Sequence, residues 1–260
     1  MQEFVLGASN KLCYQYSRML CTAMSGALYA LLFAAEDKLL YDFRGDQPDQ
    51  EPAVSAEVQR RVLSALFPSY LGNESECKVD EPPTDAALKA ARKSGQIVPE
   101  LMSSRAGSFT KPNARQTAYL IKVGECGATS RTYFGTYRLA IFENGRLVAA
   151  DSNPRGEYID AVADVDGDGI QEILLSGCGF GTGTLECNAI LLSMAGGSPR
   201  TIRRFRFVYE DPCGGSPTLP ITATVIRYAP GRPPHFFESD YEAACPPPGK
   251  TPQFGSAKRR

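Results

Sequence analysis

Four carboxylates fall within nine residues in the stretch Ala163-Asp164-Val165-Asp166-Gly167-Asp168-Gly169-Ile170-Gln171-Glu172-Ile173-Leu174-Leu175. Two like unit charges about 4 Å apart repel by about 1 kcal/mol in water and about 4 kcal/mol near a protein surface. A tight loop that gathers four of them must keep them solvated or give them a cation. Ca²⁺ is a hard ion that takes about six to eight oxygens. Asp164, Asp166 and Asp168 recur at alternate positions and can converge on one ion. Gly169 permits the sharp turn that follows. Ile170 can supply its carbonyl while its side chain points to a core, and Glu172 closes the shell from the start of the next strand. Mg²⁺ suits the set less, because it keeps more water and fewer protein ligands. The competing reading is an acidic, solvated β-turn, since Asp-Gly is also a turn signal.

The flanks decide which kind of calcium loop this is. An EF-hand needs a Glu at its twelfth position and helices on both sides. Counting from Asp164, that position is Leu175, and Tyr158-Ile159 and Ile173-Leu174-Leu175 read as strands. A β-flanked loop is therefore expected. ADVDGDGIQEILL resembles the calcium loop of the integrin-alpha-type propeller repeat, the FG-GAP or VCBS-like repeat of bacterial exported proteins. That resemblance implies an ion held by loop positions one, three, five and nine with a carbonyl at seven. These are Asp164, Asp166, Asp168 and Glu172, with Ile170 giving the carbonyl. Only one copy is present, so the similarity is to single-copy proteins rather than to a complete propeller.

From about residue 107 the apolar pattern has a period of two, which marks strands half-buried in a sheet. Tyr119, Ile121 and Val123 form one stripe and Tyr137, Leu139 and Ile141 another. Asn144-Gly145 predicts a two-residue hairpin with Arg146 to Ala150 as its return strand. Further strands are expected at 172–177, 187–194, 201–209, 221–228 and 235–241, the last two joined by a turn at Pro230-Gly231. Ahead of them, Ser55 is a good N-cap for a helix with Val58, Val62, Leu63 and Leu66 on one face, ending before Pro68. A second helix is expected from Thr84 to Gly95. The predicted fold is α+β and mainly β. Short N-terminal helices precede an antiparallel β domain of hairpins with propeller-blade-like sheets. About 140 residues are too few for a full propeller of blades of about 40 residues each. The expected divisions are a signal peptide or anchor at 1–35, a linker at 36–54, a helical segment at 55–104, the β domain at 105–245 and a disordered tail at 246–260.

Met19–Ala35 is a 17-residue uncharged run preceded by Lys11 and Arg18 and followed by Glu36 and Asp37. Those are the parts of a secretory signal, or of an anchor at the short limit for crossing a bilayer. Eight cysteines stand at 13, 21, 77, 126, 178, 187, 213 and 245, with no CxxC pair. Six remain if the first two leave with a signal, and that pattern fits disulfides better than a metal cluster or redox motif. Cys178 and Cys187 face each other across a Gly/Thr-rich hairpin and are the first expected pair. The chain is expected to be secreted, periplasmic or on the cell surface.

Lys and Arg number 28 against 29 Asp and Glu, so no strongly basic surface is expected to hold nucleic acid. A single His excludes a multi-His zinc site. His235 lacks a Gly-x-Ser-x-Gly nucleophile and reads as a surface residue, and no catalytic residue is assigned. The glycine-rich 178–184 segment has no following Lys for a phosphate loop and reads as a hairpin. Arg200, Arg203, Arg204 and Arg206 beside Phe205 and Phe207 read as the wet face of a strand with both rings inward, or as a surface for an anionic partner. Arg44-Gly45-Asp46 matches an integrin-binding tripeptide but is common by chance. The expected function is an exported, monomeric, calcium-stabilised, non-catalytic β module that binds a protein or glycan. Membrane contact would be made only through the N-terminal segment. Two alternatives differ in class: an exported glycosidase-like hydrolase using a pair drawn from Asp151, Glu157, Asp160 and Glu210, or a cell-surface structural protein.

Overall fold

The computed structural model describes residues 37–45, 55–66, 100–124 and 136–259. The expected signal segment, most of the expected linker, the helix at 84–95 and cysteines 13, 21, 77 and 126 lie outside them. The chain divides into two units, Met1–Asp37 and Lys38–Arg260, and every described strand and helix belongs to the second.

Among the described residues the elements run β1 (Lys38–Asp42), α1 (Ala56–Leu66), β2 (Glu100–Gly107), β3 (Gln116–Gly124), β4 (Thr136–Glu143), β5 (Arg146–Asp151), β6 (Tyr158–Ala163), β7 (Glu172–Gly181), β8 (Thr184–Ser193), β9 (Arg200–Asp211), β10 (Ile221–Ala229), β11 (His235–Ala243) and β12 (Lys258–Arg259). The unit is mainly β and antiparallel, as the period-two stripes predict. Strands β2-β3-β4-β5 form a four-stranded meander. The other eight form one sheet in the order β12-β11-β10-β9-β8-β7-β6, with β1 added against β10. One edge of β10 is shared. β9 pairs with it only at Thr222 and Ala223, and β1 takes Val225 to Tyr228. As β9 peels away, β1 fills the gap and approaches β6, so the sheet curls into a nearly closed barrel.

Alternation along the strands builds three apolar layers. Leu174, Ala189 and Leu191 point into the barrel with Leu40, Phe43, Phe205 and Ile226. Ile173, Leu175, Ile190 and Leu192 point out of it onto Leu120, Leu139 and Ile141 of the meander. The far face of the meander, with Tyr119, Ile121, Ala140 and Phe142, is covered by Val62 and Leu63 of α1. Each Val, Leu, Ile or Phe among them contributes about 1.5–3 kcal/mol on full burial. The α1 start is as expected: Ser55 Oγ accepts the Val58 N–H at 3.3 Å. Asn144 and Gly145 both have positive φ, as the hairpin requires.

Four features differ from expectation. β1 lies within the segment read as linker. Its charged ends obscure a strand that buries Leu40 and leads into buried Phe43. β2 begins inside the 55–104 segment read as helical, ahead of the strands expected from about residue 107, because a register shift between Leu101 and Ser103 breaks its alternation. The tail expected to be disordered follows β11 instead. Phe254 packs on the barrel core, Gly255 N–H donates to the Glu242 carbonyl at 2.9 Å, and Lys258 pairs with Glu242 at 2.7 Å. Phe205 is buried but Phe207 is exposed, with φ 52°, because register shifts between β8 and β9 interrupt the period of two.

Cys178 and Cys187 are register partners on β7 and β8 and form the expected disulfide. Cys213 and Cys245 form a second one, tying the β9–β10 connection to the chain after β11. The β7–β8 turn is Thr182-Gly183, both with positive φ. A Cβ on Gly183, where φ is +84°, would lie 2.5 Å from the Gly215 Cα. Gly183→Ala therefore combines backbone strain with a backbone-to-backbone clash. We expect it to cost about 2 kcal/mol in urea unfolding. A loss below about 0.5 kcal/mol would mean that the Cys213–Gly215 turn moves aside freely.

Candidate metal centre

The acidic loop joins β6 to β7, closed by the Ala163↔Glu172 pair of the ladder. Two neighbouring segments hold it. From the β2–β3 connection, Ser108 N–H donates to Gln171 Oε1 at 3.0 Å and the Gln171 N–H donates to the Ser108 carbonyl at 2.6 Å. From the β10–β11 turn, Gly231 N–H donates to the Val165 carbonyl at 3.3 Å. Val165 and Ile170 anchor the loop by burying their side chains.

The carboxylates organise the loop backbone. Asp164 Oδ1 accepts the N–H groups of Gly167 and Asp168 at 2.7 and 3.1 Å, and its Oδ2 accepts that of Gly169 at 2.9 Å. Asp166 Oδ1 accepts from Asp168 N at 3.1 Å, and Asp168 Oδ1 from Ile170 N at 2.7 Å. Glu172 Oε2 accepts the Val165 N–H at 3.1 Å. Gly167 and Gly169 have φ of 76° and 83°, so the chain folds tightly about these acceptors.

Of the residues expected to hold an ion, Asp164, Asp166 and Glu172 each place a carboxylate oxygen within 4.8 Å of the other two. Asp168 stands outside that trio, with its Oδ2 3.9 Å from Arg232 Nη2. Arg232 Nε is 4.0 Å from Asp166 Oδ2. This arginine comes from the β10–β11 turn, and nothing in the loop's own sequence points to it. Glu172 is only 2% exposed. Burial pushes its carboxyl up to about 7; the nearby Asp166 and Asp168 add to that, and the Val165 N–H and the Ser193 hydroxyl offset part of it. The converging oxygens are all hard donors, a set that could hold a hard cation.

The other candidate acids lie on three elements, with Glu157 and Asp160 three residues apart at β6. Asp151 is on β5 of the meander, where it accepts the Asn153 N–H at 3.0 Å. Glu210 is on β9 opposite Glu186 and Thr222. Glu157 precedes β6 and is half-buried, and burial raises its pKa. Asp160, on β6, is 8% exposed and sits at a register shift, beside Ser176 of β7, Tyr41 of β1 and Arg105 of β2. Neither of its oxygens has a hydrogen bond of good geometry, although the Ser176 hydroxyl lies near enough to favour the charged form. Burial prevails and pushes the carboxyl up to about 7. The isolated acid in Tyr158-Ile159-Asp160-Ala161-Val162 is the sequence signal for this site. His235 is exposed at the first position of β11.

No known protein family, curated protein or solved structure matches the chain.

Proposed function

We propose that this chain is an exported, non-catalytic β module braced by Ca²⁺ at the β6–β7 loop, and that it binds a protein or glycan at its loop edge. The observation that carries the reading is the convergence of Asp164, Asp166 and Glu172 oxygens within 4.8 Å at the end of the barrel strands β6 and β7. Asp168 and the Ile170 carbonyl complete the proposed ligand set. The ion would neutralise a buried carboxylate and join the end of β6 to the start of β7. The two disulfides are of the kind that persists in an oxidising environment, which supports export to the secreted, periplasmic or cell-surface space. The single-copy FG-GAP/VCBS-like resemblance of the loop supports the same assignment.

Thermal melts test it. Extracellular calcium modules have Kd of roughly 10⁻⁴–10⁻³ M, so millimolar calcium should add about 1 kcal/mol. For a unit of this size that raises Tm by about 2–4 °C. Magnesium should do less. Asp166→Asn is the cleaner probe, because Asp164 accepts three backbone N–H groups and its loss would also loosen the loop. Asp166→Asn should remove most of the calcium-dependent gain. A midpoint that is the same in calcium, magnesium and chelator would reduce the loop to an acidic turn.

A further inference from the structure

A cavity of about 430 Å³ opens beside the acidic loop, between the start of β9 and the β10–β11 turn. Three chemistries meet in its lining. Arg200, Arg203 and Arg232 bring guanidinium groups, Asp166 and Glu172 bring carboxylates, and Pro233, Pro234 and Phe236 bring apolar faces. Arg203 and Arg232 side chains are 52% and 64% exposed, so their donors reach solvent at the rim. Arg203 is 3.4 Å from Glu238, and Arg232 leans on Asp166 and Asp168. Among the described residues, no carboxylate pairs with Arg200. Phe236 is fixed by an edge contact with Phe205, ring centroids 5.5 Å apart.

A simple anion would use the arginines but meet the two carboxylates. A neutral apolar molecule would use the prolines and the phenylalanine but leave every charge unanswered. A ligand that fits all three carries a carboxylate for the guanidiniums, hydroxyls for the acidic side and a ring face for the apolar wall. We infer that this cavity binds an acidic sugar of the uronic acid class. Its carboxylate meets Arg200 and Arg203, its hydroxyls meet Asp166, whose side chain is 21% exposed, and its ring lies against Pro233, Pro234 and Phe236. The volume lies within the range of small-molecule sites, about 300–1,000 Å³. The inference rests on the reading of this chain as a binding module and names its ligand. It does not depend on the metal, since carboxylates accept sugar hydroxyls directly and a bound ion would coordinate them.

Ligand-observed NMR and calorimetry on the full chain with glucuronate, glucose and benzoate test it, each in calcium and in chelator. Glucuronate should bind in at least one condition. Glucose, which lacks the carboxylate, and benzoate, which lacks the hydroxyls, should each bind about tenfold more weakly or not at all. Arg200→Ala, an exposed position at the first residue of β9, should weaken glucuronate about tenfold and leave the melting midpoint unchanged. Absence of glucuronate binding in both conditions would overturn the inference, as would equal binding of glucose or benzoate, or an Arg200→Ala variant with wild-type affinity. A separate titration with calcium alone distinguishes failure here from failure of the metal reading.

Discussion

Asp160→Asn should stabilise the protein at pH 8 by up to about 4 kcal/mol and have little effect near pH 4. The carboxyl of Asp160 is pushed from its ordinary 3.8 to about 7, chiefly by burial, and the Ser176 hydroxyl and Arg105 guanidinium offset only part of that. The sign follows from proton binding. Between pH 4 and 7 the folded state holds a proton at this position that the unfolded chain has released. Stability therefore falls as pH rises through that window and is flat above it. A neutral side chain of the same shape removes the dependence. Glu172 titrates in the same range, so the test is the difference between wild type and variant in urea unfolding at pH 5 and pH 8. An equal difference at both pH values, or destabilisation at both, would mean that the Asp160 charge is well accommodated at the β1–β6 seam.

Removing the Cys213–Cys245 bond is the other large effect. It closes a sequence separation of 32, against 9 for Cys178–Cys187. Loop-closure entropy puts the first at about 3.7 kcal/mol and the second at about 2.6 kcal/mol. The gap widens in practice, because Cys178 and Cys187 are already partners in the β7–β8 ladder and Cys213 and Cys245 lie outside any strand. The double variant Cys213→Ala/Cys245→Ala should thus lose more stability than Cys178→Ala/Cys187→Ala by about 1 kcal/mol or more. The opposite order would show that burial of the Cys178–Cys187 pair in the barrel core outweighs chain entropy.

Strands β3, β4 and β7 to β11 are legible in the sequence, β3 and β4 by their period-two stripes and β7 to β11 as runs rich in aliphatic, β-branched and aromatic residues bounded by turn residues. The Asn144-Gly145 hairpin and the Ser55 cap are legible for the same local reasons. β1 and β2 are not. One is five residues long with charged ends, and the other carries a bulge, so neither sustains a period of two. The tail is hidden because its pairing with β11 is supplied by tertiary contacts rather than by its own Pro-rich composition. At the site, the acids of the loop are visible from spacing alone. The guanidinium of Arg232 and the cavity are not, since they depend on the β10–β11 turn folding back some 60 residues later in the chain. Asp168 shows the limit of spacing: it fits the ligand pattern, but it lies outside the trio and faces Arg232.

Calorimetric titration of calcium into the full chain, beside the Asp166→Asn variant, tests the proposed metal centre most directly. One calcium should bind per wild-type chain, with affinity sharply reduced in the variant and little heat from magnesium at equal concentration. No heat of calcium binding to the wild type, or wild-type affinity in the Asp166→Asn variant, would contradict the calcium assignment.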